Sequence, residues 1–452
     1  MLPLLGIVRA YALKVIFMKP VAEIRDPIHG YILITDVEKA LIDNPVFQRL
    51  HYIRQLAGAH YVYPGADHSR FSHSLGVMHL AGVMANYLME KGYLDVDDVQ
   101  MIRIAGLLHD IGHGPFSHVY EELLVAYKDK THEDLTEWLI TETIVKDILN
   151  DHGYDPNKVA KLSVGKLNNK EKLFINQIIS SPFDADKMDF LVRDSHFTGV
   201  EYGYIDIYRL IYSLDVVEDN LAIRLPGALQ ALEAFIIARY EMFKAVYFHR
   251  TVRSVEVMIL KAMDFAKEDL NLLNFNTPNE FLRLDDSWVL VKLREIAHDP
   301  SLQKTEELKI AAKYYSMLES RNLLKCAYET ILHVRDSFMI NLLMKPRIRH
   351  QLETEIAAKA NIDPSMVIID FPTVPSIPYT PRQLEPFDVP VFEVSENGKR
   401  VRRRISDISE LVNVLRGYMD VARIYTFPEY RKVVAQAARE TFGSSSLLSV
   451  SL

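Results

Sequence analysis

The run Leu107-Leu108-His109-Asp110-Ile111-Gly112-His113-Gly114-Pro115-Phe116-Ser117-His118 constrains this chain more than any other stretch. Its upstream side reads as a helix. Met101, Ile104, Ala105 and Leu108 form an apolar stripe, and Asp97 or Asp98 can cap the start. Gly112, Gly114 and Pro115 then break the helix, which leaves His113 and His118 at the mouth of a site. An adjacent His109-Asp110 pair therefore closes a buried helix. Neighbouring helical side chains diverge by about 100°. A metal at the helix end can still take both, because an imidazole and a shorter carboxylate approach from different sides. Such a mixed donor set suits Fe, Mn, Zn, Ni or Co better than Mg alone. By itself a His-Asp pair is a common accident of cores and surfaces. Three histidines and an aspartate between positions 109 and 118, beside an apolar helix, are hard to explain as buried polarity.

Two further segments carry similar residue types. In Arg70-Phe71-Ser72-His73-Ser74-Leu75-Gly76, Arg70 and His73 are three apart at a helix start, so both can face one pocket. In Phe183 to Asp194, Asp186, Phe190 and Asp194 share a helical face, with Lys187 and Arg193 nearby. Taken alone, the first also reads as a solvated first turn and the second as a capped amphipathic helix. Thirteen of the sixteen histidines precede residue 250, so metal or acid–base chemistry belongs to that part. The only cysteine, Cys326, excludes an internal disulfide and a thiolate cluster from this chain alone, in keeping with a reducing cytoplasm. A net charge of −8 argues against a protein that coats nucleic acid, while leaving room for a local basic pocket.

Glycine is scarce, at 18 residues, and the pattern is mainly helical. Residues 18–36 carry turn chemistry and a short strand at Tyr31–Ile34. Val77, Leu80, Ala81, Met84, Ala85 and Leu88 mark one long helix, stopped by Gly92. Ala228 to Met263 reads as a long helix or a kinked pair, and 265–365 as shorter helices. Seven of twenty prolines lie between Pro364 and Pro390, which reads as an extended connector. A hairpin follows: Val389–Val394, then Glu396-Asn397-Gly398-Lys399, then Arg400–Ile405. Asp407 then caps a helix with Glu410 three residues on, before a strand at Ala422–Thr426 and a final helix. The first residues look superficially like a signal peptide. Arg9 and Lys14 interrupt them, no small-residue cleavage site follows, and no apolar run is long enough to span a bilayer.

The three segments together resemble the HD superfamily, whose metal ligands follow the order H…HD…D. Gln48-Arg49-Leu50, Tyr52 to Leu56, Val62 to Ala66, the Arg70–Gly76 run and the His109–His118 run are similar to deoxynucleoside triphosphate triphosphohydrolases. Within these they resemble the branch of the SAM-and-HD-domain enzymes, without the SAM domain. The likeness is dense over residues 22–255 and fades beyond. It implies an HD-domain helical core in a mainly α chain, to which the hairpin, helix, strand and final helix read above add a small C-terminal α+β domain. The expected division is an N-terminal extension (1–20), the phosphohydrolase core (21–265), a helical extension (266–365) and the α+β domain with its basic hairpin (366–452).

The resemblance implies His73, His109, Asp110 and Asp186 as ligands of one divalent transition metal, with Mg accompanying the triphosphate. A metal-activated water near Asp186 would attack the α-phosphorus of a dNTP, releasing deoxynucleoside and triphosphate. His118 would protonate the leaving oxygen, with His113, Glu121 and His132 as acid–base and orienting groups. Arg70 and Lys187 match phosphate-holding positions. Gln55, Leu56, Phe190, Asp194, Arg239 and Tyr247 match nucleoside-contacting positions. Phe190 stands where the branch carries a tyrosine, and Phe243 and Phe248 replace a histidine and a glutamine. The lost hydroxyl removes a polar contact that helps to reject ribose. Asp43 and Gln48 match positions that read an activating guanine nucleotide between subunits. There His51 replaces an arginine, and Arg25 an asparagine. A cytoplasmic homo-oligomer, a tetramer with altered or absent nucleotide activation, is expected. The rival readings are a phosphohydrolase of other nucleotides, and a nucleotide sensor or nucleic-acid binder using Lys399, Arg400, Arg402, Arg403 and Arg404. The plain alternative for that basic run, and the preferred one, is a solvated strand.

Overall fold

A computed structural model describes residues 19–168, 172–332, 345–371, 389–395, 397–415 and 420–443. Most of the N-terminal extension, most of the proline-rich connector and Glu396 of the hairpin turn lie outside the described residues. The fold is mainly α. The chain opens with an antiparallel hairpin, β1 (Ala22–Asp26) and β2 (Gly30–Ile34). The helices that build the site are α1 (Arg70–Glu90), α2 (Val96–Leu108), α3 (His118–Lys128), α4 (His132–Glu142) and α5 (Ala185–Thr198). They are followed by α6 (Leu229–Met242) and α7 (Arg250–Ala266).

The apolar face expected on α1 is wider than a stripe. The helix is buried almost all round, because α2 and α5 both pack against it. It therefore stands as the central post of the core. The cap of α2 is Asp95, not Asp97 or Asp98. Asp95 Oδ1 accepts from Asp98 N at 2.9 Å, and Asp98 Oδ2 accepts from Asp95 N at 3.1 Å. This reciprocal pair needs the spacing of three residues that Asp95 alone supplies. The long apolar segment after residue 228 is a kinked pair: α6 and α7 are separated by a π-turn over Phe243–Tyr247.

The later part departs further from expectation. Lys325–Leu332, read as helical, is strand β5, and Val367–Asp370, read as connector, is strand β6. Both pair with β9 (Asp420–Thr426), in the order β5-β9-β6. The hairpin β7 (Pro390–Val394) and β8 (Arg400–Arg404) does not join that sheet. It extends the pair β3 (Leu214–Val217) and β4 (Asn220–Arg224), in the order β3-β4-β7-β8. Among the described residues, the strands of 366–452 thus do not form a sheet of their own, as a separate α+β domain would require. Their strands complete two sheets whose other strands come from 214–224 and 325–332. Partners that distant in sequence leave no local signal. Ser409, not Asp407, caps the following short helix, its Oγ accepting from Val412 N. Asp407 ends a 3₁₀ turn instead.

Candidate metal centre

Each expected ligand is placed by a helix end or a first turn. His73 lies one turn inside α1. Its Nδ1 is 2.8 Å from Asp189 Oδ2. An ionised carboxylate only accepts, so Nδ1 carries the proton and Nε2 offers a lone pair. His109 follows the last residue of α2, and its Nδ1 donates to Gly106 O at 2.9 Å. Its Nε2 is buried with no hydrogen-bond partner among the described residues. Asp186 stands in the first turn of α5, which Asp184 caps. His73 Nε2, His109 Nε2 and an Asp110 oxygen lie within 4.8 Å of one another. Asp186 Oδ1 closes the group, 3.0 Å from His73 Nε2 and 3.8 Å from His109 Nε2.

Two imidazole lone pairs and two carboxylates that converge in a buried place fit one divalent metal. The orphaned His109 Nε2 is the clearest sign, since a buried acceptor without a partner is costly unless a ligand satisfies it. Burial opposes charge on His73, but its hydrogen bonds to Asp186 and Asp189 outweigh this and push its pKa up to about 10.

His109, Asp110 and Asp186 line a cavity of about 730 Å³, and the buried His73 stands behind them, its Nε2 3.0 Å from Asp186 Oδ1. Beside them stands a second cluster. Glu121 Oε1 is 2.6 Å from His132 Nδ1, and its Oε2 is 3.0 Å from His118 Nδ1. His113 stacks on His132 with ring centres 4.0 Å apart, and its Nε2 lies 3.3 Å from Asp110 Oδ1. Burial opposes the His132 cation, but Glu121 outweighs it and raises that pKa to about 9. Burial wins at His113 and His118, which fall below the ordinary value. Within this second cluster the cation is favoured at His132, while burial favours the neutral form of His118 at the cavity face.

Gln55, Leu56, Arg70, Lys187, Phe190, Asp194 and Tyr247 also line this cavity. Arg70 and Lys187 are not idle there. Arg70 Nη1 pairs with Asp110 Oδ2 at 2.5 Å, and Lys187 Nζ with Asp184 Oδ2 at 2.8 Å. Phe243 and Phe248 add an aromatic wall, aimed inward by the π-turn. Arg239 does not line the cavity and lies over the Phe243 ring instead. Asp43, Gln48, His51 and Arg25 are likewise elsewhere. Asp43 pairs with Lys39, Gln48 Nε2 donates to Ile42 O, His51 stacks on Phe71 and Arg25 covers Tyr31.

Some participants were missed in the sequence. His68 Nε2 holds Asp194 Oδ1 at 2.7 Å, while the Tyr247 hydroxyl donates to Oδ2 at 2.7 Å. Ser117 accepts from Arg70 Nε at 2.6 Å. Phe116 and Ser117 have φ of +58° and +54°, a strained pair that brings Ser117 under Arg70. The Gly-Pro before them was the legible signal of an unusual turn. The basic hairpin reaches acidic neighbours: Arg400 meets Asp215 at 3.1 Å, and Arg403 meets Glu393 at 3.3 Å.

The HD domain model matches residues 70–191, and the model described as HD associated region matches 205–446. The first span holds His73, His109, Asp110, His113, His118, His132 and Asp186. The second covers more than half of the chain and runs through both mixed-origin sheets. The chain belongs to the HD-domain family. Among relatives of this HD protein, the uncharacterized protein YwfO of Bacillus subtilis is 39% identical over 54% of this chain and 55% of its own length. The deoxynucleoside triphosphate triphosphohydrolase SAMHD1 homolog of Dictyostelium discoideum is 34% identical over 68% of this chain and 60% of its own. The HD protein thus spans less than two thirds of either relative. A crystal structure of a hypothetical protein from Aquifex aeolicus matches with TM-score 0.71 and 28% identity, over 92% of this chain and 99% of that one. Among the described residues, no helix is long and apolar enough to cross a membrane.

Proposed function

We propose that this HD protein is a metal-dependent phosphohydrolase that cleaves dNTPs to deoxynucleoside and triphosphate. The observation that carries the reading is the convergence of His73, His109, Asp110 and Asp186 at one edge of the cavity, beside His132. A divalent metal held by those four groups would supply Lewis acidity and bring a water's pKa to about 7. The chain's own residues do the rest. His132, kept protonated by Glu121, supplies a proton to the leaving 5′-oxygen, directly or through His118. Arg70 and Lys187 place fixed positive charge against the phosphates. Asp194, held by His68 and Tyr247, accepts from a sugar hydroxyl. Phe190, Phe243 and Phe248 offer apolar faces to the nucleoside. The name of the Dictyostelium relative supports the substrate class.

The test is a dNTP panel with added Mn, Mg or Co that separates nucleoside from phosphate products. Triphosphate release supports the reading, and orthophosphate alone refutes it. His109→Ala should abolish both metal retention and turnover. We further propose a homo-oligomer, a tetramer, with nucleotide activation altered by His51 and Arg25. Sedimentation that shows only a monomer, with and without dNTPs, contradicts this.

A further inference from the structure

Behind the metal site runs a closed chain of polar contacts, of which only the Asp189–His73 bond has been used above. Asp189 is fully buried on α5, three residues beyond Asp186. Its Oδ2 accepts from His73 Nδ1, and its Oδ1 meets His29 Nε2 at 2.6 Å. Arg193 grips the same carboxylate through Nε at 2.7 Å and Nη2 at 3.0 Å. The Arg193 Nη1 reaches on to Asp26 Oδ2 at 2.9 Å. Asp26 in turn folds the β1–β2 turn, its Oδ1 accepting from the backbone N–H groups of Ile28 and His29, each at 2.9 Å. A hairpin from the start of the chain is thereby tied to the imidazole of His73.

Room for this network is made by Gly76, the last residue of the Arg70–Gly76 run. A Cβ there would stand 2.5 Å from Arg193 Nη2 and closer still to Asp189 Oδ1. The glycine therefore has a stated purpose: it lets the Asp189 carboxylate lie flat against α1, within reach of His73. Arg193 alone faces two carboxylates, so the pull of Asp189 on the His73 N–H is not cancelled.

We infer that Asp189 is the positioning residue for the metal ligand His73, and that the Asp26–His29 turn forms the outer wall of the metal centre. The inference rests on the metal-centre reading given above. A carboxylate behind a ligating imidazole fixes its tautomer and ring angle and raises its basicity, and losing such a partner weakens metal binding roughly 10–100-fold. His29 completes the device from the far side. It meets the second oxygen of Asp189 and, with Arg193 on both oxygens, keeps that carboxylate from rotating off His73.

The test measures cobalt(II) affinity of metal-stripped, full-length chain by chelator competition, beside the melting temperature of the metal-free form. Asp189→Asn should weaken cobalt binding toward the 100-fold end of that range, and His29→Ala about tenfold. His29→Gln should recover most of the loss, because a glutamine Nε2 can donate to the same Asp189 oxygen. The visible spectrum of the cobalt form should change in Asp189→Asn and not in His29→Gln. If Asp189→Asn does not fold, the two His29 variants carry the test. Variants that melt lower but bind cobalt like the wild type would show a merely structural network and overturn the inference. So would a His29→Gln that binds no better than His29→Ala. A wild-type chain that holds no cobalt would overturn the metal centre, and this inference with it.

Discussion

Gly112→Ala is the sharpest single test of how the His109–His113 turn is held. A Cβ at this position would stand 2.6 Å from Thr136 Oγ1, and closer to His132 O and Thr136 N. Ordinary carbon contacts lie near 3.5–4.0 Å. The two nearest atoms belong to the backbone of the first turn of α4, so no rotamer change can relieve the clash. The turn and the helix must part by roughly 1 Å. Overpacking of this kind costs about 1–3 kcal/mol, and a backbone obstacle points to the upper end. Thr136 makes the loss worse, because its Oγ1 accepts from Gly112 N at 3.1 Å and donates to His109 O at 3.0 Å. A destabilisation of about 3 kcal/mol should lower the melting temperature of the metal-free chain of 452 residues by about 3 °C. The same displacement separates His132 from Asp110 and His113. A misplacement of that size at a catalytic group costs about a hundredfold in rate. The assay pairs calorimetry in a chelator with turnover in metal. Gly227→Ala is the control, because among the described residues the added Cβ would meet only the exposed guanidinium of Arg209, at 3.3 Å, and no backbone atom. A Gly112→Ala chain that melts within about 1 °C of wild type and keeps its rate would refute the reasoning.

Three other perturbations separate the parts of the site. Glu121→Gln removes the group that holds His132 up at about 9, so the alkaline limb of the pH–rate profile should move down by two units or more, toward the ordinary histidine value of about 6.5. An unmoved limb would take His132 out of the acid role. Tyr247→Phe deletes one of the two donors on Asp194, and should raise KM several-fold, up to about tenfold, with little change in kcat. A fall in kcat at constant KM would show that this contact is made only in the transition state. Burial raises the Asp286 carboxyl to about 6, although it accepts from Phe116 N and Arg54 N. Its folded pKa is above the unfolded one, so its contribution is fully present below about 4 and is lost as pH rises through 6, by on the order of 3 kcal/mol. Asp286→Asn should flatten the stability–pH curve in that window, as read by denaturant titration. An unchanged slope would mean that Asp286 does not carry it.

Much of the candidate metal site was legible because the residues expected to hold the metal sit at helix ends that local chemistry sets. His109 and Asp110 follow the apolar stripe of α2, His73 opens α1, and Asp186 lies two residues after the Asp184 cap. Local periodicity and capping act within a few residues, so one chain read alone carries them. The resemblance to HD enzymes then joined three segments that spacing could not join. Its nucleoside end transferred less well. Arg239 matches a substrate position by order in the chain, yet it lies outside the cavity lining.

What only tertiary structure decided has a common cause in contacts between residues far apart in sequence. No pattern around Asp189 says that His73 and His29 will meet its two oxygens. Nothing in Lys325–Leu332 announces that β9 will make it a strand, nor in the basic hairpin that it will extend β3 and β4. The charge state of the site was decided in the same way. The imidazoles of His113, His118 and His132 are chemically alike in the sequence. In the fold, Glu121 outweighs burial at His132 alone, and that difference places the proton. The sequence by itself determined which groups could hold a metal. The packing of α1, α5 and the first hairpin determined how firmly they are aimed, because tautomer, ring angle and charge all depend on neighbours that the chain brings together only when folded.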